Sequence, residues 1–192
     1  MGFEPIFRKL SNHVAELHYL WNLYLEVFGG EKEQTALLNK SGVHFFYLTQ
    51  RLILENVALT FSKLTDPNRQ GQNENLSLKQ IHVFASENQE TDFLEKVKPI
   101  FSKLEKQVYK FRELRNKKIA HLDLEHELEI ADSPLEGISK SYVEESLTLL
   151  RTYMNTVQHH YFNSETAYQH QVTPIDSGGK TLIRVLRKGL QQ

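Results

Sequence analysis

The sequence predicts an all-α protein, an antiparallel helical bundle of four long helices plus one or two short ones. Apolar residues recur with alternating steps of three and four over four long stretches, the spacing that lines one face of a helix. No stretch alternates apolar and polar residues with period two for long enough to make a strand. Breakers fall between the stretches, at Gly29-Gly30, Asp66-Pro67, Ser133-Pro134 and Gly178-Gly179.

The first helix carries Phe7, Leu10, Val14, Leu17, Trp21, Tyr24 and Phe28 on one face, and Gly29-Gly30 stops it. The second runs from about Glu33 to Leu64 through Val43, Phe46, Ile53, Val57 and Phe61. Arg69 to Asn75 has too few apolar residues to be anything but loop. A short helix is expected from Ser77, with Ser77 and Gln80 as a capping box and Leu76 and Ile81 as a hydrophobic staple. The third long pattern spans Thr91 to about Ala120, and its apolar stripe keeps phase across Pro99. That predicts one kinked helix rather than two. Residues 121–139 read as an irregular connection. The last long helix is expected near Ser141, capped with Glu144, and carries Val143, Leu147, Leu150, Met154, Val157 and Tyr161. Residues 1–165 are expected to form the helical domain. A tail, 166–192, holds a short basic amphipathic piece, Lys180 to Lys188, that either docks as a helix or frays.

With 192 residues, 40% of them hydrophobic, the chain can bury a core without staples and is too apolar for disorder. It has no Cys, which excludes a disulfide scaffold, thiolate metal sites and cysteine nucleophiles. No apolar run approaches the roughly 18 residues that span a bilayer, and no secretory apolar region stands near the start. The expectation is a cytoplasmic protein with no membrane partner. The formal net charge is −1, so the total points to no nucleic acid. The local distribution does. Lys103, Lys106, Lys110, Arg112, Arg115, Lys117 and Lys118 crowd one helix against only Glu105 and Glu113, while residues 121–139 are acidic without a Lys or Arg.

One residue breaks the third stripe. On a helical wheel Arg115 falls in the middle of the apolar face that Val97, Phe101, Leu104 and Val108 define. It must pair with an acid such as a Glu of a neighbouring helix, line a wet cleft, or face another subunit, because an unpaired buried charge costs several kcal/mol. Arg115 is followed directly by Asn116 and, six residues on, by His121. An Arg followed loosely by a His is common, and Arg8 with His13 is such a pair. Requiring the adjacent Asn makes the string far rarer.

The stretch Leu114-Arg115-Asn116-Lys117-Lys118-Ile119-Ala120-His121-Leu122-Asp123 resembles the signature of HEPN domains, the Arg-Asn-x-x-x-x-His motif of a superfamily of small helical ribonucleases. Within it, the chain is most similar to the abortive-infection AbiU-type HEPN proteins of bacteria. Phe61 to Asp66 at the end of a long helix and Asn75 to Leu78 before a short one add to the likeness. The resemblance implies a metal-independent endoribonuclease in toxin–antitoxin or anti-phage defence, with RNA as substrate, no cofactor, and an antitoxin or regulatory protein as partner. It also implies a homodimer whose two motifs face each other across a cleft, with Arg115 near the twofold axis. Where one subgroup has a modifiable Tyr two residues after the His, this chain has Asp123.

The chemistry suits those residue types. A histidine's ordinary pKa lies near neutrality, so His121 is a natural group to move the 2′-hydroxyl proton. Arg115 can fork two phosphate oxygens, and Asn116 can orient the phosphate or the imidazole. Lys110, Arg112, Lys117 and Lys118 are the expected RNA-backbone contacts. Six residues on a straight helix separate Arg115 and His121 by about 240°, so either the helix ends near Ala120 or two subunits share a site. Three rival readings stand beside this one. His121, Asp123 and His126 could hold a metal, although histidines five apart do not share a helix face. Gly178-Gly179-Lys180-Thr181 imitates the end of a P-loop but lacks its upstream Gly and strand. A HEPN-like fold could also bind RNA, a nucleotide or a protein without turnover.

Overall fold

The apolar spacing of three and four brings Phe3, Phe7, Leu10, Val14, Leu17 and Trp21 to one buried face of α1, Phe3–Phe28. The computed structural model describes residues 2–119, 137–170 and 174–190. In it α1 is followed by α2 (Lys32–Thr65), β1 (Arg69–Gln70), β2 (Asn73–Glu74), α3 (Lys79–Glu87), α4 (Thr91–Gln107) and α5 (Tyr109–Leu114). A π-turn (Arg115–Ile119), α6 (Lys140–Phe162) and α7 (Gly179–Gly189) complete the order. The fold class is all-α, as the periodicity predicts. The residues fall into two compact units. Met1–Ala15 with Ala58–Tyr168 form the first, and Glu16–Val57 with Gln169–Gln192 form the second.

In the first unit α4 packs along α6, and Val97, Leu104, Val108, Phe111, Leu150, Met154 and Val157 are buried. Tyr153 is buried among them, and its hydroxyl donates to the Leu78 carbonyl at 3.1 Å. Burial pushes that phenol well above its ordinary titration range. The expected single helix from Thr91 to Ala120 is not found, and the fault does not lie at Pro99, which sits inside a continuous α4. The backbone breaks at Val108 instead. There the Tyr142 hydroxyl donates to the Gln107 carbonyl and accepts from the Lys110 N–H at 3.1 Å. A side chain from α6 thus enters the hydrogen-bond ladder of the α4–α5 run and ends α4.

Three further local expectations are corrected. Residues 69–75 are a tight hairpin rather than plain loop, with Arg69 opposite Glu74 and Gln70 opposite Asn73 around Gly71 at φ 61°. No capping box forms at α3. Ser77 Oγ is buried without a partner, while the Gln80 side chain donates to the carbonyls of Asn68 and Asn75 and so fastens the hairpin. Leu76 is exposed, so no staple covers Ile81. The cap of α6 is Ser139, whose hydroxyl accepts from the Tyr142 N–H at 3.2 Å, and not Ser141 with Glu144.

In the second unit α1 ends at Gly29-Gly30 as expected, and the Gln34 side chain donates to the carbonyls of Glu26 and Val27 that the helix end leaves open. The α2 pattern is interrupted at Gly42 (φ 157°, ψ 72°), a backbone state that only Gly adopts cheaply. Val27, Leu38, Phe46 and Ile183 make a small core. The basic C-terminal piece docks as helix α7 through Ile183 and Leu186. The Glu26 carboxylate caps it, accepting from the N–H groups of Gly179 at 2.8 Å and Lys180 at 3.3 Å. A Cβ on Gly179 would come within 2.7 Å of Val27, so the glycine permits this approach. Glu26→Ala is expected to cost α7 about 1 kcal/mol of its local stability. Faster amide exchange over 179–189, with exchange in α6 unchanged, would show it. Among the described residues no helix is long and apolar enough to cross a membrane.

Candidate active site

The candidate site lies where the end of α2 meets α5, inside the first unit. Pro67 cannot continue a helix and disfavours helical backbone at the residue before it, so α2 stops at Thr65 and Asp66 leaves its end. Three contacts in register tie this end to α5. The rings of Phe61 and Phe111 stack at 4.6 Å, 2° from parallel. One turn further along α2, and at the next residue of α5, Arg112 Nη2 donates to the Thr65 carbonyl at 3.1 Å and to its hydroxyl at 2.9 Å. A cation on the last carbonyls of a helix is favourable because those groups lack helical partners. Then Arg115 Nη1 donates to both carboxylate oxygens of Asp66, at 2.8 and 2.6 Å.

Arg115 therefore pairs with an acid, one of the three arrangements open to it in the apolar stripe. The acid is Asp66 at a helix end, not a Glu on a neighbouring helix face. Neither side chain is sealed from water, with Arg115 19% and Asp66 24% exposed. Asn116 is exposed, and its Oδ1 accepts from Arg115 Nε at 3.0 Å. The motif's Asn is thus bonded to the motif's Arg. From Arg115 the backbone is a π-turn, the wide one-turn bulge often found at functional sites. A wider turn advances less per residue than an α-helix does, over Arg115–Ile119. His121 itself lies outside the described residues.

The structure gathers Arg112, Arg115 and Asn116 at the end of α2 and the turn beside it. Lys110 stands over the Tyr142 ring at 5.3 Å and is half-buried. Lys117 is half-buried and Lys118 exposed on the π-turn. Arg112, expected on RNA, is engaged with the end of α2. Tyr109 is exposed on the same basic helix, and its bond to Glu113 raises the phenol above its ordinary range. Thr65 and Asp66 are the residues that sequence reasoning missed. Their signal was faint: an acid directly before a Pro at the end of a long apolar pattern, with nothing to tie it to a helix some fifty residues on.

The rival sites fare as follows. Among the described residues no group of three or more His, Asp or Glu is placed to hold a metal. The His121, Asp123 and His126 set lies outside them. At Gly178-Gly179-Lys180 the Glu26 carboxylate occupies the helix N-terminus that a phosphate would need. Arg8 pairs with Glu4 at 2.9 Å on the exposed side of α1.

Neither the curated proteins nor the solved structures contain a match to this chain. The family model described as AbiU2, of the HEPN type, matches residues 2–179. That span takes in the whole of the first unit's helices, the Asp66 end of α2 and the Arg-Asn string. The chain belongs to the HEPN AbiU2 family, a family of abortive-infection-related HEPN domains.

Proposed function

We propose that this protein is a metal-independent endoribonuclease of HEPN type that acts as a homodimer in bacterial abortive-infection or toxin–antitoxin defence. The observation that carries the reading is a partly exposed arginine, placed on a π-turn beside its motif Asn, in the string that resembles the HEPN nuclease signature. In the reaction His121 takes the proton of the 2′-hydroxyl, and the 2′-oxygen attacks the adjacent phosphorus. Arg115 stabilises the charge that gathers on the phosphoryl oxygens, the P–O5′ bond breaks, and the leaving 5′-oxygen takes a proton from water. The products are a 2′,3′-cyclic phosphate and a 5′-hydroxyl. RNA as substrate, a cytoplasmic site of action and a cognate antitoxin or regulatory protein follow from that reading. The test is RNA cleavage in EDTA by wild type and by His121→Ala. Wild-type cleavage lost in the variant supports it, and equal cleavage by both sinks it.

A second reading has its own observation. The Arg115–Asp66 pair satisfies Arg115 without any ligand, as a purely structural arginine would be satisfied. A non-catalytic HEPN module would then bind RNA or a partner through the same basic helix. RNA binding with no cleavage under any condition is its signature.

Lys117 and Lys118 belong to binding under either reading. Replacing both by Ala is expected to weaken RNA binding at moderate salt and to flatten the slope of log affinity against log salt by about 1 to 2. Turnover at saturating RNA should change little. A fall in that turnover with the slope intact would place these lysines in the chemistry instead.

A further inference from the structure

A guanidinium on a long side chain loses rotamer freedom when it settles on a phosphate, and that ordering opposes catalysis unless it is made in advance. Here it is made in advance. Asp66 holds Nη1 with both oxygens at 2.8 and 2.6 Å, and Asn116 holds Nε at 3.0 Å. Two of the three guanidinium nitrogens are fixed from two directions, which sets the plane of the group.

Asp66 is itself fixed by the backbone. Thr65, the residue before it, is gripped by Arg112 through carbonyl and hydroxyl, and Phe61 stacks on Phe111 a turn earlier. Donor and acceptor of the ion pair therefore sit just past the ends of two helices whose register is locked by two other contacts. Both side chains are mostly buried yet keep an edge to water, 19% and 24% exposed, so the pair is shielded by the fold while the guanidinium stays within reach of a ligand.

We propose that Asp66 is a positioning residue of the ribonuclease site, orienting the Arg115 guanidinium for the scissile phosphate without touching RNA. This rests on the ribonuclease reading above and adds a residue that lies outside the Arg-Asn…His string. The direction of the effect is diagnostic. A carboxylate near a phosphate repels it, so removing Asp66 leaves RNA binding equal or tighter, while an arginine that wanders slows the chemical step.

The experiment compares wild type, Asp66→Ala, Asp66→Glu and His121→Ala in metal-free RNA cleavage, with binding of a 2′-deoxy substrate analogue measured in parallel. Asp66→Ala is expected to lower kcat about 10- to 100-fold, the scale of a misplaced catalytic group. KM and analogue binding should stay within about threefold of wild type or improve, the split that marks a transition-state effect. Asp66→Glu, which restores the charge, should recover part of kcat. If Asp66→Ala does not fold, the isosteric Asp66→Asn is read the same way. Unchanged kcat, a loss confined to KM, or a melting shift without a kcat change overturns the proposal. Wild type active and His121→Ala inactive, with Asp66→Ala fully active, removes this inference alone. A wild type that cleaves no RNA removes the ribonuclease reading and this inference with it.

Discussion

Arg115→Ala is expected to lower metal-free RNA cleavage by about a thousandfold while the protein stays helical and keeps its wild-type size in solution. Losing one preorganised donor to a developing oxyanion costs about two to three orders of magnitude, and Arg115 is a cation as well as a donor. Stability should change far less. The Arg115–Asp66 pair is mostly buried but keeps an edge to water, so its loss costs about 1 to 3 kcal/mol, less than the effect on the rate. Arg115→Lys should not restore activity, because an ammonium can neither lie in the plane that Asp66 and Asn116 define nor fork two oxygens. Cleavage rates, circular dichroism and size in solution check the three parts separately. If Arg115→Ala unfolds the protein or cleaves as fast as wild type, Arg115 is structural and the site is elsewhere.

A substrate with 2′-deoxy at the scissile nucleotide should resist cleavage completely, while the all-ribo substrate is cut at full rate in EDTA. The nucleophile in the proposed reaction belongs to the RNA, so deleting the 2′-hydroxyl deletes the reaction and not merely a contact. A metal-activated water held by His121, Asp123 and His126 would attack from outside and need no 2′-hydroxyl. Cleavage of the deoxy substrate, or loss of activity on chelation, would therefore replace the proposed chemistry with the metal reading. End analysis adds a second check, since only attack by the 2′-oxygen leaves a cyclic phosphate opposite a 5′-hydroxyl.

Much of the fold was legible because burial imposes a period. The three-and-four spacing in α1, and the same spacing in α4 and α6, states which faces turn inward whatever the partner helices are. The absence of Cys excluded thiolate chemistry for an equally local reason. The Arg-Asn…His string was visible too, since Arg115 violates its own stripe. What stayed hidden was decided by groups far apart in the chain. The break at Val108 comes from the hydroxyl of Tyr142, which enters the ladder of another helix. Gln80 left its capping position for carbonyls that the hairpin brings near. The basic C-terminal piece became a docked helix because Glu26 supplies a cap more than 150 residues away in sequence. Arg115 needed a partner on physical grounds that the sequence states, but hydrophobic periodicity carries no address for polar contacts. Only the packing of Phe61 on Phe111 brings α2 and α5 into the register in which that partner is Asp66.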